Sequence, residues 1–250
     1  MIVETFSIDR RFRGPARSGN GGYVCGRIAR HVPGTATVRL AIPPPLETPL
    51  QVDVTDGVVK LLSGTTLVGE GRAAQLDIAA PAPVSFEAAS ESSKHYHGFD
   101  THTFPNCFVC GPDRKPGDGL RIFAGPLPAL PRGTGEGWGG GDAVAAPWIP
   151  DESLGSPTAN EFLWAALDCP SGFALWSPRE GTTVVLGQLT GSIRGQVRPG
   201  EKCVAMGWPL QVEGRKRFAG SAVYSVSGEL VAIARAIWIE VPASAFEESG

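Results

Sequence analysis

Short runs in which hydrophobic and polar residues alternate follow one another along both halves of the chain. Alternation with a period of two is typical of β-strands that bury one face. Turn residues separate the runs, as at Asp56-Gly57, a pair that favours a tight hairpin. We therefore expect eight strands, at residues 35–42, 50–54, 58–63, 66–78, 183–194, 202–210, 215–226 and 230–239.

A helical segment precedes the strands in each half. The first runs from Tyr23 to Arg30, after the glycine-rich stretch 18–22, and the second covers 160–169, after Ser156-Pro157-Thr158. A Ser followed by Pro is typical of a helix start. The second helix is apolar on nearly every side, which indicates burial under a sheet. The pattern predicts an α+β fold with two repeats, each a central helix wrapped by an antiparallel sheet.

Residues 79–105 lack a sustained period and carry turn and breaker residues, so they predict a connector. The expected organisation is an N-terminal repeat at 1–84, a linker at 85–105 and a C-terminal repeat at 106–250. A stretch rich in Gly and Pro at 125–141 falls inside the second repeat, where we expect a long loop.

The composition narrows the classes of protein. Hydrophobic residues make up 42% and charged residues 19%, which excludes a mainly disordered chain, and 33 Gly with 22 Pro argue against a helical bundle. The net charge of -3 disfavours a nucleic-acid partner. No apolar run reaches the roughly 18 residues of a membrane span, and five scattered cysteines need no disulfides in a chain of 250 residues. We expect a cytoplasmic protein with no membrane partner and with reduced thiols.

Four motifs follow one another along the chain: Gly21-Gly22-Tyr23-Val24; Cys107-Phe108-Val109-Cys110-Gly111-Pro112 with Gly119-Leu120-Arg121-Ile122; Ala166-Leu167-Asp168; and Ala219-Gly220-Ser221-Ala222 with Gly228-Glu229-Leu230-Val231-Ala232. In this order they resemble the hotdog-fold acyl-CoA thioesterases and dehydratases, in a tandem or double-hotdog arrangement. The resemblance covers most of the chain. It implies a double hotdog fold, a small acyl thioester as substrate, and coenzyme A only as a part of that substrate. It leaves the oligomeric state open, a homodimer included.

The phenylacetyl-type branch of that superfamily opens its helix with His-Gly-Gly and places an Asp nine residues after the His. At that spacing, the residue nine positions before Asp168 is Ala159, followed by Asn160, so the second half has the acid and lacks the glycines. The residue nine positions after Asn20 is Ala29, so the first half has the glycines and lacks the acid. Because a hotdog site is shared between two copies, the resemblance implies one composite site.

Asp168 is the first candidate for catalysis. A carboxylate within an apolar helix needs a partner or a ligand, because an unpaired buried charge is costly; the alternative is a cap for the turn at 170–172. Gly21 and Gly22 offer backbone N–H groups that could polarise a thioester carbonyl, or form a plain loop before the helix. Glu161 could act as a second acid or line the pocket, with a solvated first-turn residue as the alternative.

One group of cysteines and histidines has the residue types of a metal site. Cys107 and Cys110, with His95, His97 and His102 upstream, could ligate zinc. One Cys-x-x-Cys and a histidine spacing that fits no standard finger argue against it, so we expect no metal and less than stoichiometric zinc.

The basic turn of Arg215, Lys216 and Arg217 suits the phosphates of coenzyme A; solvated turn residues are the alternative.

The favoured function is an acyl-CoA thioesterase-like hydrolase acting at a pocket between the two repeats, in which Asp168 activates water or attacks the thioester. Two alternatives stay open. An enoyl-CoA hydratase or dehydratase usually has an Asp and a His close together, and no His lies near Asp168 in the sequence. A non-catalytic protein that binds or scaffolds an acyl ligand is the other. No Gly-x-Ser-x-Gly elbow or phosphate-binding P-loop is present.

Overall fold

The computed structural model describes residues 1–128, 143–175 and 180–246. Over these ranges the strands are β1 (Ile2–Phe6), β2 (Ala36–Leu40), β3 (Leu50–Thr55), β4 (Val58–Ser63), β5 (Thr66–Ala73), β6 (Gly125–Pro126), β7 (Val144–Trp148), β8 (Thr182–Ile193), β9 (Cys203–Glu213), β10 (Lys216–Ser225) and β11 (Leu230–Pro242). The α-helices are α1 (Gly21–Ala29), α2 (Phe86–Ser93) and α3 (Asn160–Phe173).

All of these strands belong to one antiparallel sheet, in the order β1-β3-β4-β5-β2-β8-β11-β10-β9-β7-β6. Strands β2 and β8 pair at its centre, where Thr37 lies opposite Thr190 and their hydroxyls form a hydrogen bond of 2.8 Å. The order β2-β5-β4-β3-β1 on one side matches the order β8-β11-β10-β9-β7 on the other. In the sequence, α1 directly precedes β2 and α3 directly precedes β8, so each helix comes just before one of the two central strands.

Helices α1 and α3 pack directly against each other, and both contact β8. Gly22 and Gly26 face α3 on the same side of α1, since residues four apart lie one turn from each other. A Cβ at Gly22 would lie 2.5 Å from the Asp168 Cβ, and one at Gly26 would lie 2.5 Å from the Glu161 Cα. The two backbones therefore approach closely because these positions carry no side chain.

Helix α3 continues through Pro170 to Phe173, beyond the predicted end at 169. Pro170 has no N–H to donate within the helix, and hydroxyl groups satisfy the neighbouring carbonyls instead. The Ser221 hydroxyl donates to Leu167 O at 2.6 Å, and the Ser171 hydroxyl donates to Asp168 O at 2.6 Å. The Trp238 indole N–H donates in turn to the Ser171 hydroxyl at 2.9 Å. These bonds fix the helix at the turn that carries Asp168.

The segment 85–105, which the sequence led us to expect as a linker, contains helix α2 and packs against the sheet. The Ser85 hydroxyl caps α2 by accepting from Ala88 N–H at 3.1 Å. Ala89 is fully buried with Met206 and Trp208 of β9 in a second hydrophobic cluster. Alternate residues of β9 point to opposite faces, so α2 covers the face opposite the main core. Only Ala89 and Ser92 of α2 are buried. The sequence of this helix therefore has no apolar periodicity from which it could be predicted.

The eight predicted strands are confirmed, with ends that shift by a few residues. The exception is the predicted strand at 66–78, which ends at Ala73 as β5. Strands β1, β6 and β7 at the sheet edges were not predicted. Most of the predicted loop at 125–141 lies outside the described residues, apart from β6 at its start. No helix within the described ranges is both long and apolar enough to cross a membrane.

Candidate functional site

A cavity of about 300 Å³ lies where the start of α1, the middle of α3 and strands β8 and β11 meet. Asn20 and Gly21 border it from the start of α1, and Asp168 borders it from α3. Leu186 of β8 and Trp238 of β11 contribute apolar wall. Residues from distant parts of the sequence therefore line one cavity.

The two oxygens of the Asp168 carboxylate have different surroundings. Oδ2 accepts from the Asn20 side-chain Nδ2 at 2.8 Å and from the Gly22 backbone N–H at 2.9 Å. Oδ1 is buried and has no hydrogen-bond partner among the residues that the structure describes. The side chain is only 2% exposed. One oxygen thus holds the carboxylate in place, and the other is buried with unused hydrogen-bonding capacity.

Burial raises the pKa of Asp168 to about 7, and the nearby Cys107 sulfur adds to the rise. The hydrogen bonds from Gly22 N–H and Asn20 act in the opposite direction, because they stabilise the charged form. The carboxyl group of Asp168 can therefore both accept and release a proton near neutral pH.

Asn20 has two roles at the start of α1. Its Oδ1 caps the helix by accepting from Tyr23 N–H at 2.9 Å, while its Nδ2 donates to Asp168. The sequence analysis used Asn20 only to count spacing and assigned it no function. An Asn directly before a helix is a recognisable N-cap, but its second bond depends on the packing of α1 against α3.

The two glycines of α1 differ in what they can do. The Gly22 N–H donates to Asp168, and Gly22 does not border the cavity. This N–H is therefore not available to a substrate carbonyl, contrary to the expectation from the sequence. Gly21 does border the cavity, and its N–H has no hydrogen bond to any described residue. Among the amides at the start of α1, Gly21 N–H is therefore the candidate for polarising a carbonyl.

Glu161 lies in the first turn of α3, half-buried next to Gly26, and it is not among the residues that border the cavity. Seven residues of helix separate it from Asp168, about 10 Å along the axis. Glu161 therefore does not line the cavity with Asp168, and its assistance as a second acid stays a prediction.

The basic turn lies at the β9–β10 hairpin. Arg217 forms an ion pair with Glu240 of β11, at 3.0 Å between Nη2 and Oε2. Arg215 and Lys216 are exposed, and Lys216 pairs in register with Ile239, which borders the cavity. The turn therefore lies one strand away from the cavity wall, with Arg215 and Lys216 accessible.

Three cysteines also border the cavity. The Sγ atoms of Cys107, Cys110 and Cys169 all lie within 4.8 Å of one another. His102 Nε2 lies 3.3 Å from Cys110 Sγ, whereas His95 and His97 are exposed and belong to no such cluster in the described ranges. Sequence reasoning missed Cys169, because only the fold brings α3 to the Cys-x-x-Cys segment.

No protein-family model and no curated protein matches the sequence. Solved structures do match it over nearly the whole chain. A provisionally assigned thioesterase from Novosphingobium aromaticivorans has a TM-score of 0.61 at 14% identity, covering 94% of both chains. The acyl-CoA thioesterase II TesB2 from Mycobacterium marinum has a TM-score of 0.56 at 14% identity, covering 95% of this chain and 92% of that one.

A third match is described by its fold. It is a conserved protein of unknown function with a hot dog fold from Alicyclobacillus acidocaldarius, with a TM-score of 0.54 at 12% identity, covering 95% of this chain and 92% of that one. At these identities the likeness concerns the fold. The chain therefore has the hotdog fold, the fold of the thioesterase superfamily that the sequence motifs resemble.

Proposed function

We propose that the protein hydrolyses an acyl thioester in the cavity, with Asp168 as the general base. The observation that carries this proposal is Asp168 itself, which borders the cavity and whose buried Oδ1 has no partner in the described part of the chain. A buried, unpaired carboxylate oxygen is costly. A water molecule or a substrate atom bound in the cavity would satisfy it, so the arrangement supports a ligand at this oxygen.

The reaction needs no co-reactant other than water. A water held by Asp168 Oδ1 gives its proton to that oxygen while its own oxygen attacks the thioester carbonyl carbon. The tetrahedral intermediate then collapses, the C–S bond breaks, and the proton on Asp168 passes to the leaving thiolate. The products are a carboxylic acid and a free thiol. The unpaired Gly21 N–H, at the positive end of α1, would stabilise the developing oxyanion.

The walls of the cavity support an acyl group as the buried part of the substrate. Apart from the polar groups around Asp168, side chains such as Leu186, Phe173 and Trp238 enclose the space. A volume of about 300 Å³ is at the lower end of ligand pockets, which suits a short acyl group. Coenzyme A would then extend outward as the thiol portion. Arg215 and Lys216 are the exposed cations proposed to meet its phosphates.

We further propose that the chain is a tandem pair of hotdog repeats, at 1–84 and 106–250. The matching strand order on either side of the β2–β8 pair supports this division. Helix α2 in the segment between them then acts as a packed addition to the second repeat. On this reading, Asn20 and Gly21 come from the first repeat and Asp168 from the second, which makes the site a composite of both.

The structure gives an argument against the dehydratase alternative. His102 borders the same cavity as Asp168, but both of its ring nitrogens are engaged. Nδ1 accepts from Phe104 N–H at 2.9 Å, and Nε2 lies 3.3 Å from Cys110 Sγ. Burial lowers the pKa of His102 and so favours its neutral form. A hydratase would need this ring free to transfer a proton to or from the substrate. The proposed hydrolysis uses Asp168 for proton transfer and does not need His102.

The proposal is tested with a panel of acyl-CoA thioesters of increasing chain length, with free thiol detected by a thiol-reactive dye. Reactions in ¹⁸O-labelled water should place one labelled oxygen in the carboxylic acid product. Release of thiol from at least one chain length above the uncatalysed rate is the expected result. Saturable binding of acyl-CoA without any release of thiol would contradict hydrolysis and support the non-catalytic binder. Hydration of an enoyl-CoA without cleavage would support the dehydratase.

A further inference from the structure

The cysteine cluster has the spacing of a metal site rather than of a disulfide. Cys107 Sγ lies 3.7 Å from Cys169 Sγ, and all three sulfurs lie within 4.8 Å of one another. Thiolates bound to one tetrahedral zinc ion at about 2.3 Å stand about 3.8 Å apart. A disulfide requires about 2.05 Å. The three sulfurs therefore need only a small contraction to share an ion.

The Cys-x-x-Cys-Gly segment is folded as a tight loop, in which Gly111 N–H donates to Cys107 O at 2.9 Å. The Cys107 sulfur has two further polar atoms close by. Cys169 Sγ lies 3.7 Å from it, and the side-chain Nδ2 of Asn20 lies 3.8 Å from it. An N–H donor beside a sulfur stabilises negative charge on that sulfur, as a metal-bound thiolate requires.

Contacts outside the loop hold it in this shape. Phe108 N–H donates to Arg13 O at 2.7 Å, and Leu120 N–H donates to Phe108 O at 2.8 Å. A Cβ at Gly111 would lie 2.5 Å from Cys107 N, so the turn after Cys110 requires a glycine. A loop fixed in this way presents its two sulfurs to Cys169 of α3 without further rearrangement.

Burial alone does not account for the cluster. Cys25 and Cys203 are as deeply buried, yet neither belongs to a group of metal ligands within the described ranges. In the sequence, the presence of only one Cys-x-x-Cys and a histidine spacing that fits no standard finger argue against zinc. The fold adds a third thiol, because Cys169, 59 positions beyond Cys110, joins the Cys-x-x-Cys pair.

We propose that Cys107, Cys110 and Cys169 bind one zinc ion, whose fourth coordination position faces the cavity. The three thiolates would be the protein ligands. His102 does not complete the set, because its Nδ1 accepts from Phe104 N–H and its Nε2 therefore carries the proton. From there Nε2–H can donate to the Cys110 sulfur, 3.3 Å away. Such donors to ligating sulfurs stabilise the excess negative charge of a three-thiolate zinc site.

The test is the metal content of the full-length protein, purified without oxygen after equilibration with zinc. We expect about one zinc per chain in the wild type. Each of Cys107→Ser, Cys110→Ser and Cys169→Ser should lower this to well under half, whereas the buried control Cys203→Ser should keep it. Zinc content that is far below one per chain in the wild type, or that is unchanged in all three variants, would overturn the proposal.

Cobalt gives a second readout that does not depend on variants folding. The wild type loaded with Co²⁺ alone should show the intense near-ultraviolet absorption of thiolate-to-cobalt charge transfer, and one equivalent of Zn²⁺ should abolish it. Cobalt bound without this absorption would contradict thiolate ligands. A Cys107–Cys110 disulfide found by mass spectrometry in protein kept free of oxygen would also contradict the site. None of these measurements uses a thioester, so their outcome does not depend on the hydrolase proposal.

Discussion

Asp168 uses one carboxylate oxygen for two donors and leaves the other without a partner in the described structure. The sequence could identify this residue, because a carboxylate among Leu, Trp and Ala is out of place unless it has a partner. It could not identify the partners, because Asn20 lies 148 positions away. Local composition reveals that a buried charge needs compensation, and only the packing of two helices reveals what compensates it.

Asn20 is a positioning residue for Asp168, and its substitution tests this role. In Asn20→Ser the hydroxyl should keep the helix cap, since Asn and Ser cap equally well, but the donor to Asp168 is lost. We expect kcat to fall about tenfold with little change in KM, and the unfolding free energy to fall by about 1–3 kcal/mol. Steady-state kinetics and denaturant unfolding measure the two effects.

A double-mutant cycle separates this role from a purely local one. In an Asp168→Asn background, Asn20→Ser should cost about 1 kcal/mol less than in the wild type, because the bond to the carboxylate is already altered. Asn160→Ser, at an exposed position, serves as the control and should change neither kcat nor the unfolding free energy. Strictly additive unfolding energies for Asn20 and Asp168 would show that the bond has no energetic weight.

Two glycines of α1, Gly22 and Gly26, allow the close contact between α1 and α3. From the sequence, the backbone N–H groups of Gly21 and Gly22 were expected to polarise a substrate carbonyl. The structure places the close approach of Gly22 and Gly26 at α3. A spacing of four between glycines was visible in the sequence, but the partner helix was not, because nothing local links α1 to α3.

Alanine substitutions test this contact. A Cβ at Gly22 or Gly26 must push α3 away, so each variant should lose about 1–3 kcal/mol of unfolding free energy. Gly22→Ala should also lose activity at least about tenfold, because its Cβ meets the Asp168 Cβ at 2.5 Å. Gly195→Ala is the control, since its Cβ would find no atom nearer than 3.7 Å. Unaltered stability in both α1 variants would contradict the contact described here.

Strand β1 is attached to α1 through Glu4. Its carboxylate contacts Arg27 at 2.5 Å and His31 at 2.9 Å. Burial raises the pKa of Glu4, but the hydrogen bond from His31 and the charges of Arg27 and Arg30 outweigh this and leave it lowered. A carboxyl with a lowered folded pKa stabilises the fold above its unfolded pKa, and this contribution is lost as pH falls through the folded pKa.

Glu4→Gln should therefore be less stable than the wild type at pH 7. The difference should shrink below about pH 4.3, where the unfolded carboxyl is protonated, and vanish at lower pH. Denaturant unfolding across this range measures it, with the exposed Glu180→Gln as the control. A difference that is independent of pH would mean that the charge of Glu4 contributes nothing.

At the scale of the whole molecule, the sequence predicts what is local and misses what depends on distant contacts. The hairpins from β3 to β5 and from β9 to β11 follow from alternation and turn residues, as at Asp56-Gly57, where both residues have positive φ. The pairing of β2 with β8 joins positions about 150 apart in sequence. Such pairing, like the docking of α2, depends on tertiary packing that no short segment encodes.

The main hydrophobic core includes residues from both halves of the chain, from Ile8 to Trp238. We therefore expect the protein to unfold in a single transition. All six tryptophans lie beyond residue 137, so their fluorescence reports the second half, while Leu61 is buried in the first.

Leu61→Ala should lower stability by about 2–5 kcal/mol and move the fluorescence transition as far as the circular dichroism transition. A fluorescence transition that stays at the wild-type position would show that the halves unfold separately.

The activity of Asp168→Asn shows whether the carboxylate of Asp168 acts on the thioester. This variant keeps the size of the side chain and an oxygen for Asn20 and Gly22, but it cannot take a proton from water. We predict that kcat/KM for the best acyl thioester falls by about 10² or more, with an intact unfolding transition, while the exposed Asp77→Asn keeps full activity. An Asp168→Asn variant as active as the wild type would contradict the account.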